Sequence, residues 1–516
     1  MKKWIVTITM TLAATLLPVP SFSAENNFDW KEFLGQYDML WDNDITMDPV
    51  FQEGIFGKRH WGRTDGYYSG ALMGNGLLGT NLYKLSDGVY RLNVGRSDVT
   101  EAREPFNVYN SGRLPIGYFT FSTVGQVQDE KMRLSIYDAV TSGALRTNAG
   151  RLDFRTYVHS ERECIIFDTH AEGDETGWKL DFVSQKAISP RYVFNSANAP
   201  KGYVNAEGKP NPDSYFHKAG DVNFCIQALA KDTTFTDIAR WYVVAWKTVR
   251  NGADSRTIAT ITQADKLAKA EAEAKAIIRS AFSPTKEKLD SQHVAWWHNF
   301  YSNAAFLTFP DKNIERFWWF QYYKFASTAR PGKPIIDLQG VWPTSDTPWP
   351  AIWMNLNIQL TYSWLTKANL GQLEQPLWDS FWKNRENLTR NVTDIPGQEN
   401  WKDCMVMPRA SSYDMHAALS PALAKQNQYE VGNLTWTLFY YWQMCEAYRD
   451  DFQMKERLFP LLKSAVNIFF RIRITNPDGT YSLPSTASPE YGEGELGEIG
   501  TNSNYDLANL RWGLST

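Results

Sequence analysis

The chain has 516 residues, too many for one hydrophobic core, so it predicts two or more domains. A hydrophobic content of 43% with 21% charged residues is typical of a globular protein in water. The net charge of −4 lacks the basic balance of nucleic-acid and anionic-lipid binding proteins, which excludes those function classes. The aromatic content is high, with 21 Trp, 25 Tyr and 28 Phe. We expect most of these rings in cores, and the remainder as flat surfaces on which a sugar could stack.

The first residues have the pattern of a secretory signal. Lys2 and Lys3 precede an apolar run over residues 5–19, and small residues follow up to Ala24. This run is too short to span a membrane, and no cysteine stands at the cleavage point to carry a lipid. The sequence therefore predicts a signal peptide over residues 1–23, export to the periplasm or the medium, and no membrane insertion.

Residues 24–262 are predicted to form an antiparallel β-sandwich. Strand-length segments that alternate or run apolar are separated by Gly, Asn, Asp and Pro, without helical patterns between them. Examples are residues 118–124, 131–137, 178–183 and 241–246. The segment Gly74–Gly79 is glycine-rich like a phosphate loop, but it is not GxGxxG and no lysine follows. We predict a tight turn there.

The pattern changes to helical from about residue 263. Residues 264–282 are rich in Ala, Glu and Lys, and the segment 263–298 is predicted to link two domains. Successive helical segments joined by loops then favour an α/α toroid of six-hairpin type over residues 299–516, only partly present. Fourteen of the 21 tryptophans follow residue 290, which makes this the expected ligand-binding half. Its predicted helices are 313–329, 357–368, 376–387, 434–448 and 458–471.

Cysteine and histidine spacing does not indicate a metal or cofactor. No CxxC, HxH or HExxH pattern occurs. His293 and His298 are expected to be structural. Free buried thiols are the first expectation for the four cysteines, with one or two disulfides as the alternative, since export permits them. The cysteines are Cys164, Cys225, Cys404 and Cys445.

Two segments carry candidate chemistry. Glu490 lies in a Pro/Gly-rich segment, 483–494, where a carboxylic acid could donate a proton. Asn355 and Asn357 lie one residue apart in an aromatic-rich segment and could hold a water or a hydroxyl. Together they suggest hydrolysis of a glycosidic bond. The alternative for Glu490 is a solvated carboxylate among its acidic neighbours.

These segments resemble glycoside hydrolase family 95, the inverting α-L-fucosidases and α-L-galactosidases. Residues 327–342, with Arg330-Pro-Gly and Gln339-Gly-Val-Trp342, resemble the family's Ser-Arg-Pro-Gly…Asn-Leu-Gln-Gly-Ile-Trp signature. Asn355-Leu-Asn357 falls at its Asn-Ile-Asn pair, and Ser488-Pro-Glu490 at the segment of its general acid. The resemblance is weak over most of the chain and close over residues 313–506.

The resemblance implies roles for three residues. Glu490 would be the general acid, and Asn355 and Asn357 would bind and orient the attacking water. In the family a carboxylate far beyond the acid assists as base, and this chain has no matching residue. Because a helix begins near Tyr505 and the sequence ends at Thr516, we expect a truncated chain whose base lies further on, and which turns over little substrate.

Other residues are weaker candidates. Trp342, Trp353 and Asp414 are predicted to bind substrate. Asp506 could do so too, or could pair with Arg511 within a helix. We also expect Arg330 to brace its turn, and Asp337 either to cap a helix or to face the cleft.

The sequence departs from the family where sugar hydroxyls would be contacted. The family's His-His-Asn-Thr-Asp run has no counterpart over residues 406–414. Ile358-Gln359 stands where the family has Thr-Glu, and Thr366 replaces a further Glu. These changes put fucose itself in doubt.

The predicted function is an exported glycoside hydrolase that cleaves a terminal α-L-fucoside- or α-L-galactoside-like sugar with inversion, acting on an oligosaccharide or polysaccharide. Two alternatives remain open. One is a non-catalytic glycan-binding protein, because the base is missing. The other is a related toroid enzyme, such as a glycoside phosphorylase or a polysaccharide lyase, although no basic cluster near Asn355 suggests a phosphate pocket.

Overall fold

The computed structural model describes residues 28–42, 67–101, 112–193, 211–230, 240–343, 349–417, 430–486 and 500–516. The predicted signal peptide and Glu490 lie outside these ranges. Among the described residues, no helix has the length and apolar character needed to cross a membrane.

The first half contains two antiparallel sheets, which confirms the predicted sandwich. One sheet has nine strands in the order β1-β8-β9-β10-β11-β16-β15-β14-β13, and the other has five in the order β12-β7-β4-β3-β2. In chain order, the strands are β1 Met39–Asp42, β2 Ala71–Gly74, β3 Leu78–Ser86, β4 Val89–Arg96, β5 Thr100–Glu101, β6 Gly112–Arg113, β7 Gly117–Ser122, β8 Val127–Ser135, β9 Val140–Thr147, β10 Gly150–Val158, β11 Ile165–Gly173, β12 Lys179–Ser184, β13 Tyr215–Ala219, β14 Val222–Ala228, β15 Trp241–Asn251 and β16 Asp254–Ala264.

The strand alternation produces the core between the sheets. Every second residue of β7 is buried, including Phe119 and Phe121. Phe119 of the smaller sheet meets Trp246 of the larger one, with ring centroids 5.6 Å apart, and Phe121 meets Phe167 at 5.1 Å. Aromatic side chains thus fill the space between the two layers, as the composition indicated.

The glycine-rich segment at 74–79 is a tight turn between β2 and β3, as predicted. Asn75 Oδ1 accepts the backbone N–H groups of Leu77 and Leu78, which fixes the turn. Gly76 has φ +85° and donates its N–H to the carbonyl of Ser327 at 2.8 Å. The turn therefore docks on the helical half of the molecule.

The helices of the second half are shorter than the sequence pattern suggested in two places. The predicted helix 357–368 ends at Tyr362, and the predicted helix 376–387 is two helices that meet at Asn384. The helices are Trp30–Gly35, Leu267–Phe282, Lys286–Ser302, Lys312–Thr328, Asn357–Tyr362, Gln375–Lys383, Arg385–Thr393, Asn433–Tyr448, Phe459–Ile472 and Asn504–Ser515, with a π-helical turn at Gln453–Leu458.

The helix Leu267–Phe282 covers the larger sheet as well as linking the halves. It buries Ala270, Ala274, Ile278 and Ala281, which recur at helical spacing, against the apolar face that includes Val243 of β15. The three alanines among these positions let the helix lie close to the strands.

Segment 330–343 fits directly against the smaller sheet. Gly79 of β3 and Gly95 of β4 face Val341, and a Cβ built on Gly95 would lie 2.6 Å from the Val341 carbonyl oxygen. Trp342 Nε1 donates to the Met73 carbonyl at 2.8 Å. Because glycine has no Cβ, these two positions allow the helical half to pack closely on the sandwich.

All four cysteines are free and buried, which confirms the first expectation for them. Burial raises the pKa of Cys164 and of Cys404 to about 12, so neither is a reactive thiolate. In the described part of the chain, no group of three or more His, Cys, Asp or Glu side chains is arranged to hold a metal ion.

Candidate active site

Asn355 and Asn357 flank a strained residue. Trp353 pairs with Ala410 in a two-residue antiparallel strand, and the next N–H, of Met354, donates to the Arg409 carbonyl at 2.6 Å. Leu356 then adopts φ +82°, a conformation that costs a non-glycine residue about 1–2 kcal/mol. This reversal leaves the Asn355 side chain buried, with 1% of its surface exposed, whereas Asn357 is partly exposed at the start of a helix.

Asn355 contacts a buried carboxylate that the sequence pattern did not single out. Its Nδ2 donates to Glu430 Oε1 at 3.2 Å, and Glu430 is completely buried. Arg409 donates to the same oxygen through Nε at 2.7 Å and also through Nη2, while Asn433 Nδ2 donates to Oε2 at 2.8 Å. We call Asn355, Arg409, Glu430 and Asn433 the Glu430 cluster.

The charge of the Glu430 cluster is balanced internally. Burial raises the pKa of Glu430, and Arg409 with the two amides acts in the opposite direction. Each hydrogen-bond partner of Glu430 in the described part of the chain is a donor, so the arrangement fits the ionised carboxylate. Two nitrogens of the Arg409 guanidinium, Nε and Nη2, are correspondingly engaged by Glu430.

Two buried acceptors in this region have no partner among the described residues. They are Asn355 Oδ1 and Gln359 Oε1. Gln359 Nε2 donates to the carbonyl of Met354 at 2.5 Å and to Thr437 Oγ1 at 3.1 Å. A buried acceptor without a partner costs roughly 1–3 kcal/mol, which a bound water or hydroxyl would recover.

A hydrogen-bonded chain leads from the Glu430 cluster to the last helix. Tyr505 donates to Asn433 Oδ1 at 2.7 Å, in the first turn of Asn504–Ser515. Burial raises the pKa of Tyr505 well above its usual value, so the phenol keeps its proton and remains a donor. Asn355 and Tyr505, 150 residues apart in sequence, are thus joined through Glu430 and Asn433.

The segment that contains Glu490 lies outside the described residues, but both of its flanks are described. Thr486 donates to the Asp506 carboxylate. Leu483 N–H donates to Asn502 Oδ1 at 2.7 Å, and Asn502 N–H donates to the Leu483 carbonyl at 3.1 Å. The two flanks of segment 487–499 are therefore held together, at the helix that reaches the Glu430 cluster through Tyr505.

Asp506 is completely buried and serves as an anchor for these flanks. Its Oδ2 accepts from Thr486 and from Ser503 at 2.9 Å, so its observed partners are these hydroxyls and not Arg511. Burial raises the pKa of Asp506. Its Oδ1 has no partner among the described residues. Its predicted role in substrate binding remains a prediction.

The other substrate-binding candidates occupy different positions. Trp342 is 6% exposed and its indole N–H is used at the sandwich contact, which leaves little of the ring for a sugar. Trp353 is partly exposed beside Trp349, with ring centroids 6.0 Å apart. Asp414 accepts from Ser412 and from the His416 N–H, and so fixes its own loop.

Arg330 and Asp337 are both structural at the contact between the halves. The Arg330 guanidinium lies 3.2 Å from the Trp296 ring centroid and donates to the Ser160 carbonyl at 3.3 Å. These contacts lie away from its own turn, so the predicted brace of that turn remains a prediction. Asp337 accepts from buried Arg113 of β6 at 3.2 Å and from Tyr413 at 3.0 Å. Asp337 thus joins the sandwich to the loop that carries Asp414.

Part of the chain is similar to a known family of proteins. Residues 297–511 match the Glycosyl hydrolase family 95 catalytic domain. The helical half is therefore similar to that domain. The matched region contains Asn355, Asn357 and the whole Glu430 cluster, so the resemblance drawn from motifs is confirmed at the level of the domain.

Two curated relatives are similar to part of this chain. The chain is 26% identical over 178 residues to a protein named alpha-fucosidase A from Aspergillus niger, covering 33% of this chain and 22% of the relative. It is 25% identical over 202 residues to Alpha-L-fucosidase 2 from Arabidopsis thaliana, covering 37% of this chain and 23% of the relative. The alignments span less than a quarter of each relative.

A solved structure shares the arrangement of a sandwich followed by an α/α toroid. It is described as a kojibiose phosphorylase from the human microbiome, with a TM-score of 0.57 and 11% identity, covering 80% of this chain and 57% of the other. At this identity the likeness concerns the fold. This likeness confirms the predicted fold class, and the region 297–511 lies in its helical part.

Proposed function

We propose that this protein is an exported glycoside hydrolase that removes a terminal α-L-fucoside- or α-L-galactoside-like sugar from a glycan with inversion. The observation that carries the proposal is the buried Asn355, which is held by Glu430 and whose Oδ1 has no partner in the described part of the chain, inside a region that matches a glycosidase catalytic domain. The relatives named as fucosidases support the sugar class.

In the proposed mechanism, the two sides of the glycosidic bond are served by different segments. Glu490 protonates the departing oxygen, and Asn355 with Asn357 holds the attacking water on the opposite face. Inverting enzymes keep the acid and base groups roughly 6.5–9.5 Å apart to leave room for that water. The amides orient the water but accept no proton, so a separate base is required, and its assistance is worth about 10²–10⁴-fold.

The described flanks of the Glu490 segment support this convergence. Thr486 is four residues before Glu490, a contour of at most about 14 Å in extended chain. Thr486 is bonded to Asp506, and the neighbouring Tyr505 is bonded to the Glu430 cluster. Chain geometry therefore permits the Glu490 carboxyl to approach the amides, and we predict that the carboxyl lies within about 15 Å of both Asn355 and Asn357, beyond which inverting chemistry fails.

The decisive experiment compares Glu490→Gln with Glu493→Gln in the full-length protein, on natural glycans and on aryl glycosides. A general acid matters least for leaving groups that depart without protonation, so Glu490→Gln should lower kcat by about 10²–10⁴-fold on a glycan and far less on an activated aryl glycoside. Glu493→Gln, three residues away, is the matched control and should retain activity. Full activity of folded Glu490→Gln on the natural glycan would refute the role.

An added phosphate series tests the phosphorylase alternative in the same assay. Glu430 is the carboxylate that contacts Asn355, and the guanidinium of Arg409 is already hydrogen-bonded to it. We therefore expect free sugar as the product whether or not phosphate is present. Formation of a sugar phosphate, with a rate that rises with phosphate, would replace hydrolysis by phosphorolysis.

Export is tested by the mature N-terminus. The proposal expects the protein outside the cytoplasm, beginning near Ala24. N-terminal sequencing of the protein from a cell fraction of its native host checks this directly. An intact Met1 on cytoplasmic protein would contradict it.

A further inference from the structure

We propose that Glu430 is a positioning residue that fixes the Asn355 amide so that its Oδ1 faces the attacking water. This inference rests on the proposed function, and it assigns a role to a side chain that does not itself touch the substrate. The geometry that carries it is the single contact between Asn355 Nδ2 and Glu430 Oε1, with the other end of the amide unpartnered among the described residues.

The two ends of an asparagine amide are similar in shape and opposite in function. Nδ2 donates two hydrogen bonds, and Oδ1 accepts. An ionised carboxylate only accepts, so beside Glu430 the amide must present its nitrogen. Its oxygen is then necessarily turned to the other side. Without a fixed acceptor at this place, this contact would no longer decide which end of the amide faces the water.

Glu430 is itself held in place. Arg409 donates twice to Oε1, and Asn433 donates to Oε2 at 2.8 Å. The backbone carbonyl of Arg409 accepts from Met354, the residue directly before Asn355. The backbone of Arg409 thus holds Met354, and its side chain holds Asn355 through Glu430. The strained Leu356 reverses the chain directly after these two residues.

The freed Oδ1 is suited to orient a water. A water that donates one hydrogen to Oδ1 keeps a lone pair on its oxygen to attack the anomeric carbon. The remaining proton passes to the general base as the new C–O bond forms and the glycosidic C–O bond breaks. The leaving oxygen receives its proton from the general acid, so charges and protons balance.

Glu430 is a poor candidate for the base itself. Its oxygens already accept from Arg409, Asn355 and Asn433, and no part of the residue is exposed. Taking a proton would break the contact with a buried guanidinium, which would leave an uncompensated charge. Its chemistry is that of a fixed acceptor.

A double-mutant cycle on the full-length protein tests the inference. Glu430→Gln keeps the shape but removes the negative charge and one of the two acceptor oxygens, which loosens the hold of the cluster on the Asn355 amide. We expect kcat to fall by about 10²-fold with KM changed by less than about threefold, the size of effect that misplacing a reacting group produces. In an Asn355→Ala background the same substitution should change kcat by less than about threefold, because the residue it acts through is gone.

Equal losses from Glu430→Gln in both backgrounds would overturn the inference, since Glu430 would then act independently of Asn355. If the losses are equal but Asn355→Ala itself lowers activity, the inference fails and the proposed function still stands. Absence of hydrolysis by the wild-type protein would overturn both.

Glu430→Gln leaves Arg409 without its charge partner and could prevent folding. Asn433→Ala then serves in the same cycle, because it loosens the carboxylate at Oε2 and keeps its charge. The expected kcat loss is smaller, about tenfold, and should again disappear in the Asn355→Ala background. A loss that persists there contradicts the inference as firmly as the first cycle would.

Discussion

Buried carboxyl groups of the helical half differ in what neutralises them. Glu430 contacts a guanidinium, whereas Glu374 accepts from Thr366 Oγ1 at 2.5 Å and from Trp378 Nε1 at 3.2 Å, both of them neutral groups. Glu374 is 1% exposed, and burial raises its pKa from 4.5 to about 7. Burial raises the pKa of both carboxyls, and at Glu430 the Arg409 guanidinium opposes that shift.

Glu374 predicts a pH-dependent stability. Because its folded pKa is raised, its contribution is complete below about pH 4.5 and is lost as the pH rises through about 7. The full shift corresponds to roughly 3 kcal/mol, at about 1.4 kcal/mol per pKa unit. Denaturant unfolding of Glu374→Gln should therefore show a smaller loss of stability between about pH 5 and about pH 8 than the wild-type protein.

The control for this measurement is Glu446→Gln, an exposed carboxyl on the helix Asn433–Tyr448. It should leave the pH dependence of unfolding unchanged. If Glu374→Gln and the wild-type protein lose stability in parallel over this pH range, Glu374 does not titrate as its burial indicates.

The individual residues of the site were the hardest feature to predict from the sequence. Asn355 could be found because it stands in a recognisable motif beside Asn357. Glu430 and Asn433 could not, since they are 75 and 78 residues further along and only the fold brings them to Asn355. The contacts of Glu430 with Arg409 and with Asn355 have no local signal in the sequence.

At the scale of elements, the reversal at Leu356 is the least regular feature of the site. Residues 357–368 have helical periodicity, yet the helix Asn357–Tyr362 is short and turns follow it. Local pattern could not show this, because Gln359 and Tyr362 bond to distant segments, Thr437 and the N–H of Ile336. Tertiary contacts thus set where the helix ends.

Leu356 predicts an inverted order of stability between two substitutions. At φ +82° glycine is unstrained, whereas alanine keeps the strain that leucine has. Leu356→Gly should be more stable than Leu356→Ala by about 1 kcal/mol, measured by denaturant unfolding. At an ordinary helical or extended position the alanine variant would be the more stable one, and finding that order here would show that Leu356 is not strained.

At the scale of the whole molecule, the sandwich and the toroid region are joined by close backbone contacts. Alternation in the first half and helical periodicity in the second were enough to predict the two architectures. The contact between them was not predictable, because it depends on glycines that lie 246 or more residues before the segment they admit: Gly79 and Gly95 face Val341.

Gly95→Ala should weaken this contact. The added methyl would meet Pro343 and the Val341 carbonyl oxygen, and backbone cannot move aside as a flexible side chain would. We expect a loss of about 1–3 kcal/mol in unfolding free energy. Gly500→Ala, where a Cβ meets nothing within 4 Å, is the control and should change stability little. Equal stability of the two variants would argue against close docking of the halves.

The central claim is that the protein hydrolyses, with inversion, a glycosidic bond of the substrate that lies between Glu490 and the two amides. The anomeric form of the first product tests this claim most directly. Time-resolved proton NMR of an α-L-glycoside treated with the full-length protein distinguishes the two outcomes before mutarotation mixes them. The β-anomer should appear first, and Glu490→Gln should suppress its formation. Initial release of the α-anomer, or no hydrolysis of any glycoside by the folded protein, would contradict it.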